Sequence, residues 1–172
     1  KKQGFKDVHR YKSTDIFLVP KELEIKKENT RYILSKAILL RKSKGITVDK
    51  SRERITFKRK NINDSGEILS QYSVNCDVLN LQDAEELFKH IGYKRIMKID
   101  EEHTSFKKGN LKLVIKYREE NNILIEIETN EFYKDIQELK KAINKIDIPF
   151  DHSDYFVKKA EEELEKIKKS GE

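Results

Sequence analysis

The side chains best suited to chemistry in this 172-residue chain are polar ones spaced two residues apart. Glu126 and Glu128 stand at alternate positions of an isoleucine-rich run, so a strand sets both carboxylates on one face. Lys112 and Lys116 recur on the same period just before them, and Lys58 and Lys60 do so earlier in the chain. Ser73, Asn75 and Asp77 form a further alternating set. Adjacent carboxylates suit a hard divalent cation such as Mg²⁺ or Mn²⁺, and grouped lysines suit a polyanion.

The positions between these charges are apolar. Leu111, Leu113 and Ile115 alternate with Lys112, Val114 and Lys116; beyond Asn121 and Asn122, Ile123, Ile125 and Ile127 alternate with Leu124, Glu126 and Glu128. This pattern predicts a β-hairpin over 112–129, one face of which needs a core. If helices cover the aliphatic faces, the charged faces line either open solvent or the inside of a barrel. A barrel interior of this kind would be a hydrated tunnel with a polyanion on its lysines and a cation on its carboxylates. The plainer reading is a one-sided sheet with a solvated face, which is the commoner arrangement.

In chain order, Val8 to Val19 reads as a strand that ends at Pro20. Tyr32 to Lys42 is apolar and fits helix or buried strand equally, and Gly45 marks a turn. Arg54 to Lys60 is a strand, Asn61 to Gly66 a turn, and Ile68 to Val78 a strand with Tyr72, Val74, Cys76 and Val78 inward. Leu81, Ala84, Leu87, Phe88 and Ile91 switch to helical spacing, with Asn80 as N-cap and Gly92 as the stop. Tyr93 to Phe106 returns to strand, with a break at Asp100-Glu101-Glu102. Asn130 is placed to cap a helix through Phe132, Ile136, Leu139 and Ile143, and Ser153 one through Tyr155, Phe156, Ala160, Leu164 and Ile167. The expected class is α+β: mostly antiparallel strands forming a barrel or strongly curved sheet, with flanking helices at one side.

Charged residues make up 40% of the chain and hydrophobic ones 36%, yet the apolar residues are patterned as in a folded domain. A net charge of +6 and a pI of about 9.1 bias the chain mildly towards anionic partners. The lone cysteine, Cys76, excludes an intramolecular disulfide and a cysteine-built metal site, and reads as a small core residue. His9, His90, His103 and His152 show no metal-ligand spacing and fit surface or supporting roles. No apolar run approaches the roughly 20 residues of a membrane helix, so the cytoplasm is the expected compartment and a membrane is not an expected partner. The C-terminal lysines interleave with glutamates as on a solvated helix, which makes nucleic acid an unlikely partner.

The order of these segments resembles the CYTH superfamily of class IV adenylate cyclases and thiamine triphosphatases. Thr14-Asp15-Ile16-Phe17-Leu18 is similar to the family's Q-x-D-x-Y-F strand, Leu40-Arg41 to its L-R-I-R segment, and Ile55-Thr56-Phe57-Lys58 to its lysine-bearing strand. Leu87 to Tyr93 resembles the helix ending in L-G-[FY], Ile125 to Glu128 the late E-I-E strand, and Ser153-Asp154-Tyr155 the S-Y before the last helix. The resemblance implies one domain over 1–172, matched from about His9 onward and so without the family's first strand and helix. It implies a triphosphate tunnel that takes a triphosphate-bearing small molecule or nucleotide. Arg41, Lys58 and Lys60 would bind phosphate, and Glu126 and Glu128 would hold Mg²⁺ or Mn²⁺. Any activity would be metal-dependent triphosphate hydrolysis or nucleotidyl cyclisation, with no catalytic residue assigned.

Several positions depart from the family. No E-x-E-x-K strand precedes Thr14; Glu22-Leu23-Glu24-Ile25-Lys26 spells it, but after the Asp15 strand, and reads as coincidence. Tyr72-Ser73-Val74-Asn75 lacks the family's central carboxylates, Asp100-Glu101-Glu102-His103 replaces a K-x-R segment, and Lys116 stands where an acid is usual. Two alternatives therefore stand beside the enzyme: a catalytically degenerate tunnel that binds a ligand or a protein, and an unrelated basic α+β interaction domain.

Overall fold

Alternation carries most of the chain into strands. The computed structural model describes residues 4–62, 68–117, 123–128, 136–146 and 159–170. In order they form β1 (Lys6–Pro20), α1 (Thr30–Ser35), β2 (Ile38–Gly45), β3 (Ser51–Ile62), β4 (Ile68–Asp77) and α2 (Leu81–His90). Then come β5 (Tyr93–Lys108), β6 (Leu111–Tyr117), β7 (Ile123–Glu128), α3 (Ile136–Asn144) and α4 (Lys159–Ser170). Among the described residues the strands make one seven-stranded sheet in the order β4-β3-β2-β1-β5-β6-β7. β3 with β4, β5 with β6, and β6 with β7 pair antiparallel. The α+β class with an antiparallel sheet and flanking helices is as expected, and the sheet order is open, with β4 and β7 at its ends.

The chain falls into two compact units. The first comprises Lys1–Ser13, Lys44–Lys50 and Glu101–Ser153; the second comprises Thr14–Ser43, Ser51–Asp100 and Asp154–Glu172.

In the second unit the sheet is covered on both faces. Phe17, Val19, Leu39, Met97 and Ile99 pack with Ile33 of α1 and Leu164 of α4. Their neighbours Ile16, Leu18 and Leu40 face the other way and pack with Leu81 of α2, Phe88, Ile55 and Tyr93. Helices at one side only, as expected from sequence, cannot serve the run Ile16-Phe17-Leu18-Val19, which is apolar on both faces and needs two covers. Asn80 accepts from the Gln82 and Asp83 amides, Glu53 accepts from the Leu81 amide at 2.5 Å, and Gly92 at φ 97° lets the chain leave α2.

In the first unit Leu111, Leu113, Ile125 and Ile127 pack against Ile143 and Ile146. The hairpin register Leu113↔Ile127 and Ile115↔Ile125 sets these aliphatic residues on one face, as alternation predicts. Ile123, expected with them, is 55% exposed at the start of β7.

Four further expectations change. Tyr32 to Lys42 is neither all helix nor all strand: α1 closes with the Lys36 amide bonding back to Ile33, and β2 starts at Ile38. β5 runs unbroken through Asp100-Glu101-Glu102, because Glu101 stays on the buried face and Glu102 takes Arg10 as its partner. Tyr72 and Val74 are exposed, not inward, and Cys76 is an exposed thiol rather than a core residue. The reason is that β4 is an edge strand, while α2 packs over Ile16, Leu18, Leu40 and Ile55; among the described residues nothing covers Tyr72, Val74 and Cys76, and Val78, just beyond β4, reaches that core. Leu87 and Ile91 point away from the sheet and are likewise exposed. The turn centred on 63–67, Asn121, Asn122, Asn130, Phe132, Ser153, Tyr155 and Phe156 lie outside the described residues. Among the described residues no helix is long and apolar enough to cross a membrane.

Candidate functional site

In the second unit, alternation along β3 sets Arg52, Arg54, Thr56 and Lys58 on one face, with Ile55 and Phe57 on the other. β4 answers residue for residue: Asp77 opposite Arg54, Asn75 opposite Thr56, Ser73 opposite Lys58 and Gln71 opposite Lys60. Buried Thr56 donates its hydroxyl to Asn75 Oδ1 at 2.9 Å, which pins that pair. Arg52 makes a forked pair with Asp77, Nε at 2.7 Å and Nη2 at 2.9 Å. Arg52, Arg54 and Lys58 thus share one face of β3, and between Tyr72 and Asp77 the one carboxylate β4 sets on it is Asp77.

The neighbouring strands add a buried ion triad. Asp15 of β1 is fully buried and takes both Nε and Nη2 of Arg41 at 2.6 Å, and Nζ of Lys159, the first residue of α4, at 2.9 Å. Burial alone would push the Asp15 carboxyl up; the two cations outweigh it and hold the group well below the usual carboxylate range. Arg54 is pushed the other way: burial and the like charges of Arg52 and Arg41 lower its pKa. Its Nε is buried and has no hydrogen-bond partner among the described residues. Among the described residues the face therefore carries more cations than anions, and Arg54 Nε is a donor without an acceptor there. Such a face binds oxyanions, because the guanidinium fork matches phosphate geometry.

Arg41 and Lys58, both expected to hold phosphate, lie on adjacent strands of this unit, although Arg41 also serves Asp15. The Lys60 side chain lies outside the described residues, and only its register with Gln71 is given. Asp15, Arg54 and Lys159 were not selected from sequence. The signal for Asp15 was a lone carboxylate at the edge of an apolar run, and for Arg54 its place two residues before Thr56 and four before Lys58. Lys159 carried no signal, because its partner Asp15 lies 144 residues away in sequence.

The first unit has its own polar cluster. Ser13 Oγ and His103 Nε2 are 2.6 Å apart, and both residues are buried. Tyr11 stacks on the His103 ring at 4.5 Å and 7°, and His9 on Tyr11 at 5.4 Å and 29°. The Glu101 carboxylate lies 3.5 Å from the same His103 Nε2. A serine-hydrolase triad needs the carboxylate on the ring nitrogen remote from the serine, so this geometry is not that of a nucleophile with its base. His103, expected at the surface or in a supporting role, is thus part of a buried polar row that Ser105 extends.

The carboxylates Glu126 and Glu128 lie on β7 as expected, opposite Val114 and Lys112. The ammonium of buried Lys116 pairs with Glu126. The Glu128 side chain lies outside the described residues. Among the described residues no three histidine, cysteine, aspartate or glutamate side chains converge as a metal site. With an ammonium already on Glu126, this donor set fits an ion pair better than a Mg²⁺ or Mn²⁺ shell, which needs several free oxygens.

No protein-family model matches the chain, and no curated protein matches it. Solved structures do. The PH1819 protein of Pyrococcus horikoshii is 15% identical with a TM-score of 0.61, over 96% of this chain and 80% of that one. The PH1012 protein of the same organism is 22% identical with a TM-score of 0.56, over 81% and 73%. A candidate adenylate cyclase of Vibrio parahaemolyticus is 10% identical with a TM-score of 0.50, over 83% and 71%. At these identities the likeness is one of fold.

Proposed function

We propose that this chain is a CYTH-like binding protein that holds triphosphate or nucleotide anions on the cationic face of β2 and β3, without metal-dependent turnover. The observation that carries the reading is Arg54, a half-buried guanidinium on a cation-rich face, repelled by Arg52 and Arg41, whose Nε has no hydrogen-bond partner among the described residues. A phosphate on the half-buried Arg54 side chain would relieve the repulsion between Arg54, Arg52 and Arg41. Lys58, and Lys60 two residues further along β3, extend the face so that successive phosphates of one chain meet successive cations. The fold likeness to a candidate adenylate cyclase supports the same ligand class.

Turnover is left out of the proposal for a physical reason. Triphosphate chemistry needs cations around the phosphates and metal on fixed carboxylates. Here Lys116 occupies Glu126, and the strand opposite β3 offers Asn75, Ser73 and one acid, Asp77, which Arg52 already holds.

The test is calorimetric titration with tripolyphosphate and with ATP at low salt, in the presence of a chelator. Binding is expected, weakened by added salt and by Lys58→Ala. Absence of any heat with either anion at low salt would remove the anion-binding reading. Robust Mg²⁺- or Mn²⁺-dependent phosphate or pyrophosphate release, lost on Glu126→Gln, would remove the claim that turnover is absent.

A further inference from the structure

The β4 strand differs from the rest of the chain. Its ten residues, Ile68–Asp77, carry one charge, at the last position, in a chain whose residues are 40% charged. It ends the sheet order, and among the described residues no strand pairs with its outer edge. Tyr72 is 64% and Val74 48% exposed, and Cys76 is exposed beside them. An edge strand presents a row of backbone donors and acceptors, and chains that stay monomeric blunt such edges with lysine, proline or a bulge. Between Tyr72 and Asp77 β4 has none of the three; its register shift is the extra residue Leu69, between Ser70 opposite Asn61 and Ile68 opposite Ile62, outside this stretch.

We infer that β4 pairs antiparallel with β4 of a second copy of this chain, about a two-fold axis at Val74. The sequence around that residue reads alike in both directions: apolar Tyr72, polar Ser73, Val74, polar Asn75, apolar Cys76. An axis at Val74 places Tyr72 opposite the second copy's residue 76, Ser73 opposite its residue 75, and Val74 opposite itself. Apolar residues then meet apolar ones on one face and hydrogen-bonding residues meet on the other. The charges also permit it: Asp77 falls opposite the second copy's glutamine at 71, so no like charges are juxtaposed. The apolar row lies on the same face of the sheet as Ile55, which packs with α2. The pairing involves the outer edge and the α2 face of the second unit, so it does not depend on the anion-binding reading.

Light scattering over a concentration series should show a dimer that dissociates on dilution. Val74→Lys sets two lysines opposite each other across the axis, and should weaken the dimer about tenfold or more with the circular dichroism spectrum unchanged. The native cysteine provides a second measurement. With Cys76 opposite position 72 of the second copy, the two Cys76 backbones are about 14 Å apart, four residues of strand rise combined with one strand spacing. A nitroxide on Cys76 should therefore report a short spin–spin distance, and this holds for the chain with β4 unaltered should the Val74→Lys chain fail to fold. A monomer at every concentration, a dimer indifferent to Val74→Lys in a folded chain, or a spin separation well beyond that range would each overturn the pairing.

Discussion

Arg41 grips Asp15 through both Nε and Nη2, at 2.6 Å each, and the carboxylate it holds is fully buried. Lys159 completes the group from the start of α4, 144 residues further along the chain. Removing one partner of such a group leaves an uncompensated buried charge, which costs more than the intact group contributes.

Asp15→Asn should therefore destabilise the chain by about 3–5 kcal/mol, since Arg41 and Lys159 would then face a neutral amide. The pH dependence follows from the same pair. Asp15 is held below its ordinary range when folded, so the unfolded chain takes up this proton more readily. The contribution is complete above the unfolded value of about 3.9 and is lost as pH falls from there towards the folded value. Urea unfolding between pH 3 and 7 should show stability falling below about pH 4 in the native chain, and a flatter acid limb in Asp15→Asn. Equal acid limbs in the two proteins would show that Asp15 does not dominate this range.

At Arg54 the shape of the cation should matter as well as its charge. Arg54→Ala should weaken tripolyphosphate binding about tenfold or more, the loss expected for a hydrogen bond to a charged group. Arg54→Lys should recover only part of it, because an ammonium cannot offer the planar fork. Calorimetry on both variants checks this, and full recovery by lysine would mean that charge alone is read.

Glu126 should behave as a partner of Lys116 rather than as a metal ligand. Glu126→Gln leaves the buried Lys116 ammonium without its carboxylate and should cost about 1–3 kcal/mol. Mg²⁺ or Mn²⁺ should leave the melting temperature of the native chain unchanged. A metal-dependent rise in melting temperature that Glu126→Gln abolishes would restore these carboxylates as a cation site.

Leu164 is fully buried where α4 meets Phe17, Leu39 and Met97. Leu164→Ala should cost about 2–5 kcal/mol by the cavity it opens, measured by urea unfolding. A cost near zero would mean that α4 is not held on the sheet by this contact.

Most of the strands were legible because a half-buried strand writes its two environments into alternate residues. The register of Leu113 with Ile127 and of Ile115 with Ile125 follows from that period alone. The α2 helix was legible for a similar local reason: Asn80, Gly92 and the spacing of Leu81, Ala84 and Phe88 all act within one segment. Local reading failed where burial depends on a distant element. Tyr72, Val74 and Cys76 alternate as a core strand does, but among the described residues no helix covers them and they are exposed.

The candidate site divides along the same line. Sequence determined that Lys58 and Lys60 recur on one strand, that Glu126 and Glu128 recur on another, and that Arg41 follows an apolar strand start, because period and residue type are properties of a short stretch. Tertiary structure decided which charge meets which. It gave Arg41 and Lys159 to Asp15, Lys116 to Glu126, and left Arg54 Nε buried without an acceptor among the described residues. Coulomb energy and desolvation depend on distance and on the neighbours that exclude water, and residues far apart in sequence acquire both only when the sheet and its helices assemble.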